Sequence, residues 1–551
     1  MTSSGPARRY DLDALRGFAM LLGIVLHCAI SFIPGVGVFW GVQDSQSNGL
    51  FGILLASIHG WRMPLFFLVS GFFTAMLWKK RGLRTLLVHR FKRIFLPMLL
   101  AMVTIIPVML IVSGYVRSQP TSEPTPAANT PTAKEREANA LRSGSDVGGG
   151  AEIDVSAAVV LSDLNTLDAY LRNGGEVDAK DAFGSAPMHV ACLFGRADAA
   201  KLLLANDASL EVENNEGATP EQLLALDWET TAYIAGLVQV PVDREELLAG
   251  RQRIAAAIKE KTGRTAPVMT ARDAQANGLE GLIGLLFYVP VFHHLWFLWF
   301  LCWFVCGFAL LVKLLQTLRI PAVSDKWLTS SLRYVWLIPL AAVPQYFMAS
   351  SQYAYGPDTS IGLLPLPAVF AYYAIFFGYG AMYFGANDQA VAVGKGYWWK
   401  LAAAVLIIFP IGFALQGPDR TSGRILFAVM QVSYAWTMSF AMLGLFDRLF
   451  RSQRFWVRYL SDSSYWLYLA HIPVVMLLQF IVRDWSLPSL LKFGFVCSVT
   501  TVLLLVSYHL CVRNTWLGAL LNGRRYPGRD KNTQMPESNL QVSSPAIQES
   551  N

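Results

Sequence analysis

YDLDALRGFAMLLGIVLH (residues 10–27) decides how this chain is read. It opens an apolar run too long for a short core helix, yet it contains Arg16 and His27. Eleven positions on an α-helix make three turns, so the two side chains share one face, roughly 16 Å apart along the axis. Titratable groups in hydrocarbon are costly, and such a pair marks a functional site by default. An arginine at the membrane edge and a histidine at mid-depth suit acid–base chemistry reached from within a bilayer.

Composition asks for a membrane independently. Of 551 residues, 54% are hydrophobic and only 15% charged. The basic Arg8–Arg9 leads into an apolar run that continues without a small-residue cleavage site, so the run reads as a retained signal anchor. Ten stretches approach the length that crosses a bilayer: 14–34, 56–78, 94–116, 292–314, 332–349, 363–385, 398–415, 424–446, 464–482 and 490–512. Lys and Arg set their orientation. KKRGLRTLLVHRFKR (79–93) is densely basic, whereas 35–55 and SSQYAYGPDTSIG (350–362) hold no Lys or Arg. The consistent solution has both termini cytoplasmic, so the net charge of +7 follows from topology and calls for no nucleic acid.

Between the third and fourth spans the character changes. Residues 117–152 are rich in Pro, Thr, Ala, Ser and Gly, a flexible linker. Within 153–240, GSAPMHVAC (184–192) and GATPEQLLA (217–225) align at an offset of 33, with Pro187 matching Pro220. That period, with proline opening a helix, is the ankyrin pattern. SAPMHVA resembles its signature, and His189 belongs to the turn network rather than to catalysis. DREELLAGRQRIAAAIKE (243–260), within the stretch 241–285, reads as an amphipathic cap. The expected architecture is all-α: a polytopic bundle of about ten transmembrane helices, in two parts (1–116 and 286–515), an extracytoplasmic ankyrin-like insert, and a disordered cytoplasmic tail (516–551). Five of six cysteines lie in spans and Cys192 stands alone in the insert, so no disulfide framework or metal site is expected.

DLDALRG with His27, FFLVSGFF (66–73), RFKRIFLP (90–97), HLWFLWFL (294–301) and SYWLYLAHIPV (464–474) together resemble the acyltransferase 3 family. Arg16 and His27 match its first-helix motif. HGWRMPLFFLVSGFF (59–73) looks most like the branch of glucan biosynthesis protein C, which O-succinylates periplasmic glucans. The resemblance implies a bacterial inner-membrane O-acyltransferase that moves an acetyl or succinyl group from acyl-coenzyme A, a donor substrate rather than a cofactor, to an extracytoplasmic glycan hydroxyl.

On that reading His27 is the base that takes the hydroxyl proton. Arg16, grouped with it as a catalytic residue, orients the site or binds the donor, or only sets topology. Arg90 and Arg93 stand on the basic cytoplasmic side, where they either meet donor phosphates or keep the loop inside. His471 either assists the donor side or joins helices. His59, Arg62 and His294 line the acceptor side, while Ser70 and Gly71 permit close helix packing. The partners expected are acyl-coenzyme A, a glycan, membrane lipid and a protein bound by the ankyrin module.

Two other functions compete. A polar-solute transporter suits ten spans with buried charge, but no internal repeat relates the two halves of the membrane region. An inactive scaffold would use the ankyrin module alone.

Overall fold

The computed structural model describes residues 9–34, 36, 40–119, 155–181, 184–214, 217–237, 240, 242–269, 278–319, 321, 323–348, 355–386, 388, 391–415, 423–452 and 454–522. Most of the linker expected at 117–152, and the tail beyond 522, lie outside the described residues, whereas Trp516–Asn522, expected as the start of a disordered tail, is helical. Among the described residues there is helix and no strand.

The first membrane part comprises α1 (Tyr10–Ile30), α2 (Leu50–Arg90) and α3 (Leu96–Ser118), with one π turn, Phe91–Phe95, joining the last two. The run from Leu50 to Val116 is 67 residues. At about 1.5 Å per residue, a straight helix of that length would be far longer than a bilayer is thick. It is broken at Gly82, whose φ of 76° a side chain with a Cβ rarely adopts.

The second membrane part comprises α11 (Gly278–Phe287), α12 (Trp296–Thr317), α13 (Asp325–Thr329), α14 (Arg333–Tyr346), α15 (Pro367–Gly385), α16 (Tyr397–Ala403), α17 (Phe409–Ala414), α18 (Arg424–Leu449), α19 (Phe455–Val482), α20 (Ser489–Ser507) and α21 (Trp516–Asn522). Eight helices among the described residues are long and apolar enough to cross a membrane. The expected second and third spans fall in the single run broken at Gly82. The expected fifth is α14, only 14 residues long and carrying Pro339 and Pro344.

Aromatic side chains fill the core between these helices. Phe376 stacks on Trp436 with ring centroids 3.9 Å apart, and Phe67 sits among Trp296, Phe297, Phe304 and Tyr373. α2 and α15 approach so closely that a Cβ on Gly71 would overlap the Phe377 carbonyl, and one on Gly380 the Leu68 carbonyl. Small residues allow this contact, as expected of Gly71.

The inserted segment comprises α4 (Val155–Val160), α5 (Leu164–Arg172), α6 (Pro187–Leu193), α7 (Ala197–Ala205), α8 (Pro220–Leu223), α9 (Trp228–Leu237) and α10 (Arg244–Thr262). The offset of 33 seen in the sequence is repeated in its hydrogen bonds. Asp181 accepts from the Ser185 N–H and Asn214 from the Ala218 N–H, both at 2.9 Å. Gly184 and Gly217 close these turns at φ 67° and 71°. His189 then accepts from the Ala186 N–H, while Gln222 accepts from the Thr219 N–H. The other imidazole nitrogen of His189 bonds the Ala218 carbonyl and links one turn to the next, a structural role.

α10 begins where Asp243 caps the N–H groups of Glu245 and Glu246. From it the fully buried Arg251 donates to the carbonyls of Cys192, Leu193 and Leu226 and to the Thr231 hydroxyl. One guanidinium thus ties α10 to the end of α6, to the turn after α8 and to α9. Burial pushes it down to about 10, so it stays charged at neutral pH.

Candidate functional site

Both members of the opening pair lie on α1, on the face that turns toward α19. Arg16 donates to the Ser461 hydroxyl at 3.0 Å. Three turns on, the His27 ring lies 5.0 Å from that of His471, centroid to centroid. The His294 ring is 5.9 Å from His471 on another side.

α2 supplies the rest of this cluster. The Arg62 guanidinium lies against α1 at Gly23, one turn before His27, where a Cβ would displace it. His59, one turn earlier on α2, donates through Nε2 to the Pro357 carbonyl at 3.0 Å. Among the described residues, the titratable groups facing His27 electrostatically are His471, Arg62, His294 and His59. All are basic, so His27 is not oriented by a carboxylate as in a serine-hydrolase triad.

Hydrogen bonds settle two tautomers. His471 Nδ1 meets the Tyr468 carbonyl at 2.8 Å and must carry the proton, which leaves the Nε2 lone pair open. His294 Nε2 meets the Leu469 carbonyl at 3.1 Å, which leaves Nδ1 open. His27 Nδ1, His294 Nδ1, His471 Nε2 and Arg62 Nε are all buried without a hydrogen-bond partner among the described residues. Buried polar atoms are nearly always paired, so four unpaired ones together mark a place that binds polar groups. The cluster does not have the form of a metal site: no three His, Cys, Asp or Glu among the described residues converge as ligands.

Toward the other end of α1, beyond the Arg9–Asp11 ion pair of its first turn, two arginines come near each other. Arg90 donates to the Thr74 hydroxyl at 3.2 Å, faces Arg16 electrostatically and has a buried, unpartnered Nε. Arg93, expected beside it, donates instead to the carbonyls of Ala519 and Leu520 in α21. Arg16 and Arg90 therefore stand together while Arg93 ties down the last described helix.

The structure separates residues that the sequence reading grouped. His471, read as either a donor-side residue beside Arg90 and Arg93 or a link between helices, stands with His27 and His294. Sixteen positions along α19 carry it past the middle of that helix, and its face is set by packing against α1. Trp40 and Gln479 also contact His27, and neither belongs to a motif. No sequence signal marks Trp40, which lies in the connection after α1. Gln479 had one weak signal, a lone amide in an otherwise apolar stretch of α19.

The chain matches the family model described as Acyltransferase domain over residues 9–133 and 265–509. It is similar to Glucans biosynthesis protein C of Escherichia coli (strain K12), 32% identical over 120 residues, which cover 22% of this chain and 30% of that protein. The protein of the same name from Salmonella paratyphi B is 32% identical over 127 residues, 23% of this chain and 32% of its own length. The chain thus spans about a third of the length of the curated relatives it matches. No solved structure matches it.

Proposed function

The chain belongs to the acyltransferase-domain family, and from that premise we propose that it is a membrane-embedded O-acyltransferase that moves an acetyl or succinyl group from acyl-coenzyme A to a glycan hydroxyl. The observation that carries this reading is the division of α1. Paired arginines, Arg16 and Arg90, stand at one end, and a histidine with an unpartnered buried nitrogen stands three turns away. Guanidinium groups suit the phosphates of coenzyme A, and the distance between them and His27 suits an extended pantetheine arm.

In the proposed reaction the glycan hydroxyl enters past His59, Arg62 and His294. His27 takes its proton as the oxygen attacks the thioester carbonyl. In this reading Arg62, whose Nε is buried without a partner among the described residues, donates to the oxyanion that develops. Collapse of the tetrahedral intermediate breaks the carbon–sulfur bond and expels the thiolate of coenzyme A, which takes the proton back from His27. The products are the ester and free coenzyme A, with no net change at the enzyme.

In this reading both termini are cytoplasmic, the donor comes from the cytoplasm, and the acceptor is periplasmic in a bacterial inner membrane. The glucan assignment draws on the two relatives' names. The inserted helices are read as an ankyrin-like module for a protein partner or the acceptor, supported by the turns that recur at 33 residues.

The test is transfer of label from acetyl- and succinyl-coenzyme A to a periplasmic glucan by the purified protein in nanodiscs. His27→Ala should abolish transfer while the protein still inserts; undiminished turnover overturns the reading. A chain lacking 117–280 separates the module's role from the chemistry. Loss of transfer to glucan assigns it to acceptor recruitment, and unchanged transfer removes it from the reaction.

A further inference from the structure

His27 lies in the last turn of α1, which ends at Ile30, so its carbonyl and that of Cys28 lack helical N–H partners. In an apolar surrounding such groups must be satisfied by another part of the protein. Gln479 of α19, fully buried, does this: its Nε2 donates to both carbonyls at 3.0 Å. Its Oε1 accepts from the indole N–H of Trp40 at 2.6 Å. With the acceptor and both donors used, the amide has only one orientation. The indole it holds lies over His27, ring centroids 5.6 Å apart and planes 10° apart.

The segment that follows Trp40 is anchored. Asp44 forms a buried ion pair of 2.6 Å with Lys492, and its N–H donates to the Ser31 carbonyl. The Ser45 hydroxyl donates to the Arg483 carbonyl at 2.7 Å. Lys492 donates to that same carbonyl and to that of Trp485. The tryptophan is therefore held by the junction of α19 and α20.

We propose that Trp40, fixed by Gln479, is a positioning residue that holds the His27 imidazole and favours its protonated form during acyl transfer. This rests on His27 as the base of the proposed reaction. The groups facing His27 from other elements are Arg62 and His59 of α2, His471 of α19 and His294 ahead of α12, and of these the Arg62 guanidinium carries a fixed positive charge that opposes a second one there. Two features favour that charge: the carbonyl end of α1 and the electron-rich face of the indole. Without them the base would be too weak when the hydroxyl proton is transferred. No bond is made to Trp40; the proton moves from hydroxyl to His27 and then to the departing thiolate.

The pH dependence of kcat/KM for labelled acetyl-coenzyme A, with a periplasmic glucan as acceptor, tests this in the full chain in nanodiscs, since its acid limb reports the free base. Trp40→Leu should lower kcat about tenfold, leave the KM for the donor unchanged, and move the acid limb down by roughly half a pH unit to one unit. Trp40→Phe, which keeps an aromatic face, should restore most of kcat and the midpoint. Gln479→Met fills the site without the hydrogen bonds and should also lower the midpoint. Variants of Trp40 and Gln479 that both keep the wild-type acid limb overturn the proposal. A fully active His27→Ala variant instead overturns the underlying reaction, so the two failures are distinguishable.

Discussion

Replacing Arg251 with alanine should unfold the inserted segment while leaving the membrane helices in place. The guanidinium is fully buried and donates to the Leu226 carbonyl at 2.6 Å, the Leu193 carbonyl at 2.7 Å, the Thr231 hydroxyl at 2.9 Å and the Cys192 carbonyl at 3.2 Å. Each buried acceptor left without its donor costs about 1–3 kcal/mol, and the truncated side chain leaves a cavity as well. Against this, alanine removes the cost of burying the charge, the same cost that lowers the guanidinium to about 10. A net loss of about 3–5 kcal/mol is expected, a large share of the stability of a small module.

Cys192 provides the readout. It is buried, it is the cysteine of the insert, and its own carbonyl is one of the acceptors. Burial also raises its thiol well above the ordinary range, so it should react slowly with a maleimide in the wild-type chain. In Arg251→Ala, labelling of the Cys192 peptide, followed by mass spectrometry, should be about a hundredfold faster or more, since each 1.4 kcal/mol of easier opening is tenfold. Arg251→Met, which restores volume but no donors, should remain fast. Wild-type labelling rates in both variants would refute the claim that this guanidinium holds the insert together.

Two further outcomes follow from packing and charge. Gly71→Val should force α2 and α15 apart and lower the melting temperature by several degrees, an overpacking cost of about 1–3 kcal/mol, whereas Ser70→Ala should change little; equal effects would contradict the close approach at Phe377. Arg90→Ala should raise the KM for acyl-coenzyme A about tenfold to a hundredfold, as loss of a charge-assisted contact to phosphate predicts. Arg93→Ala should leave that KM nearly unchanged and instead loosen α21, read by faster proteolysis of the chain end; a matching rise in KM would place Arg93 at the donor after all.

The sequence alone determined whatever depends on periodicity along one segment. Residues 10–27 placed Arg16 and His27 on one helix face, because 3.6 residues per turn leaves no choice once the helix is granted. The offset of 33 foretold the paired turns of Asp181 and Asn214, because each is a local hydrogen-bonded unit. Tertiary structure decided what meets across helices. It set His471 against His27, sent Arg93 to α21, and placed Trp40 and Gln479 against His27. Those outcomes depend on how helices far apart in sequence cross and on which rotation buries the aromatic core, and no spacing within a single helix contains that information.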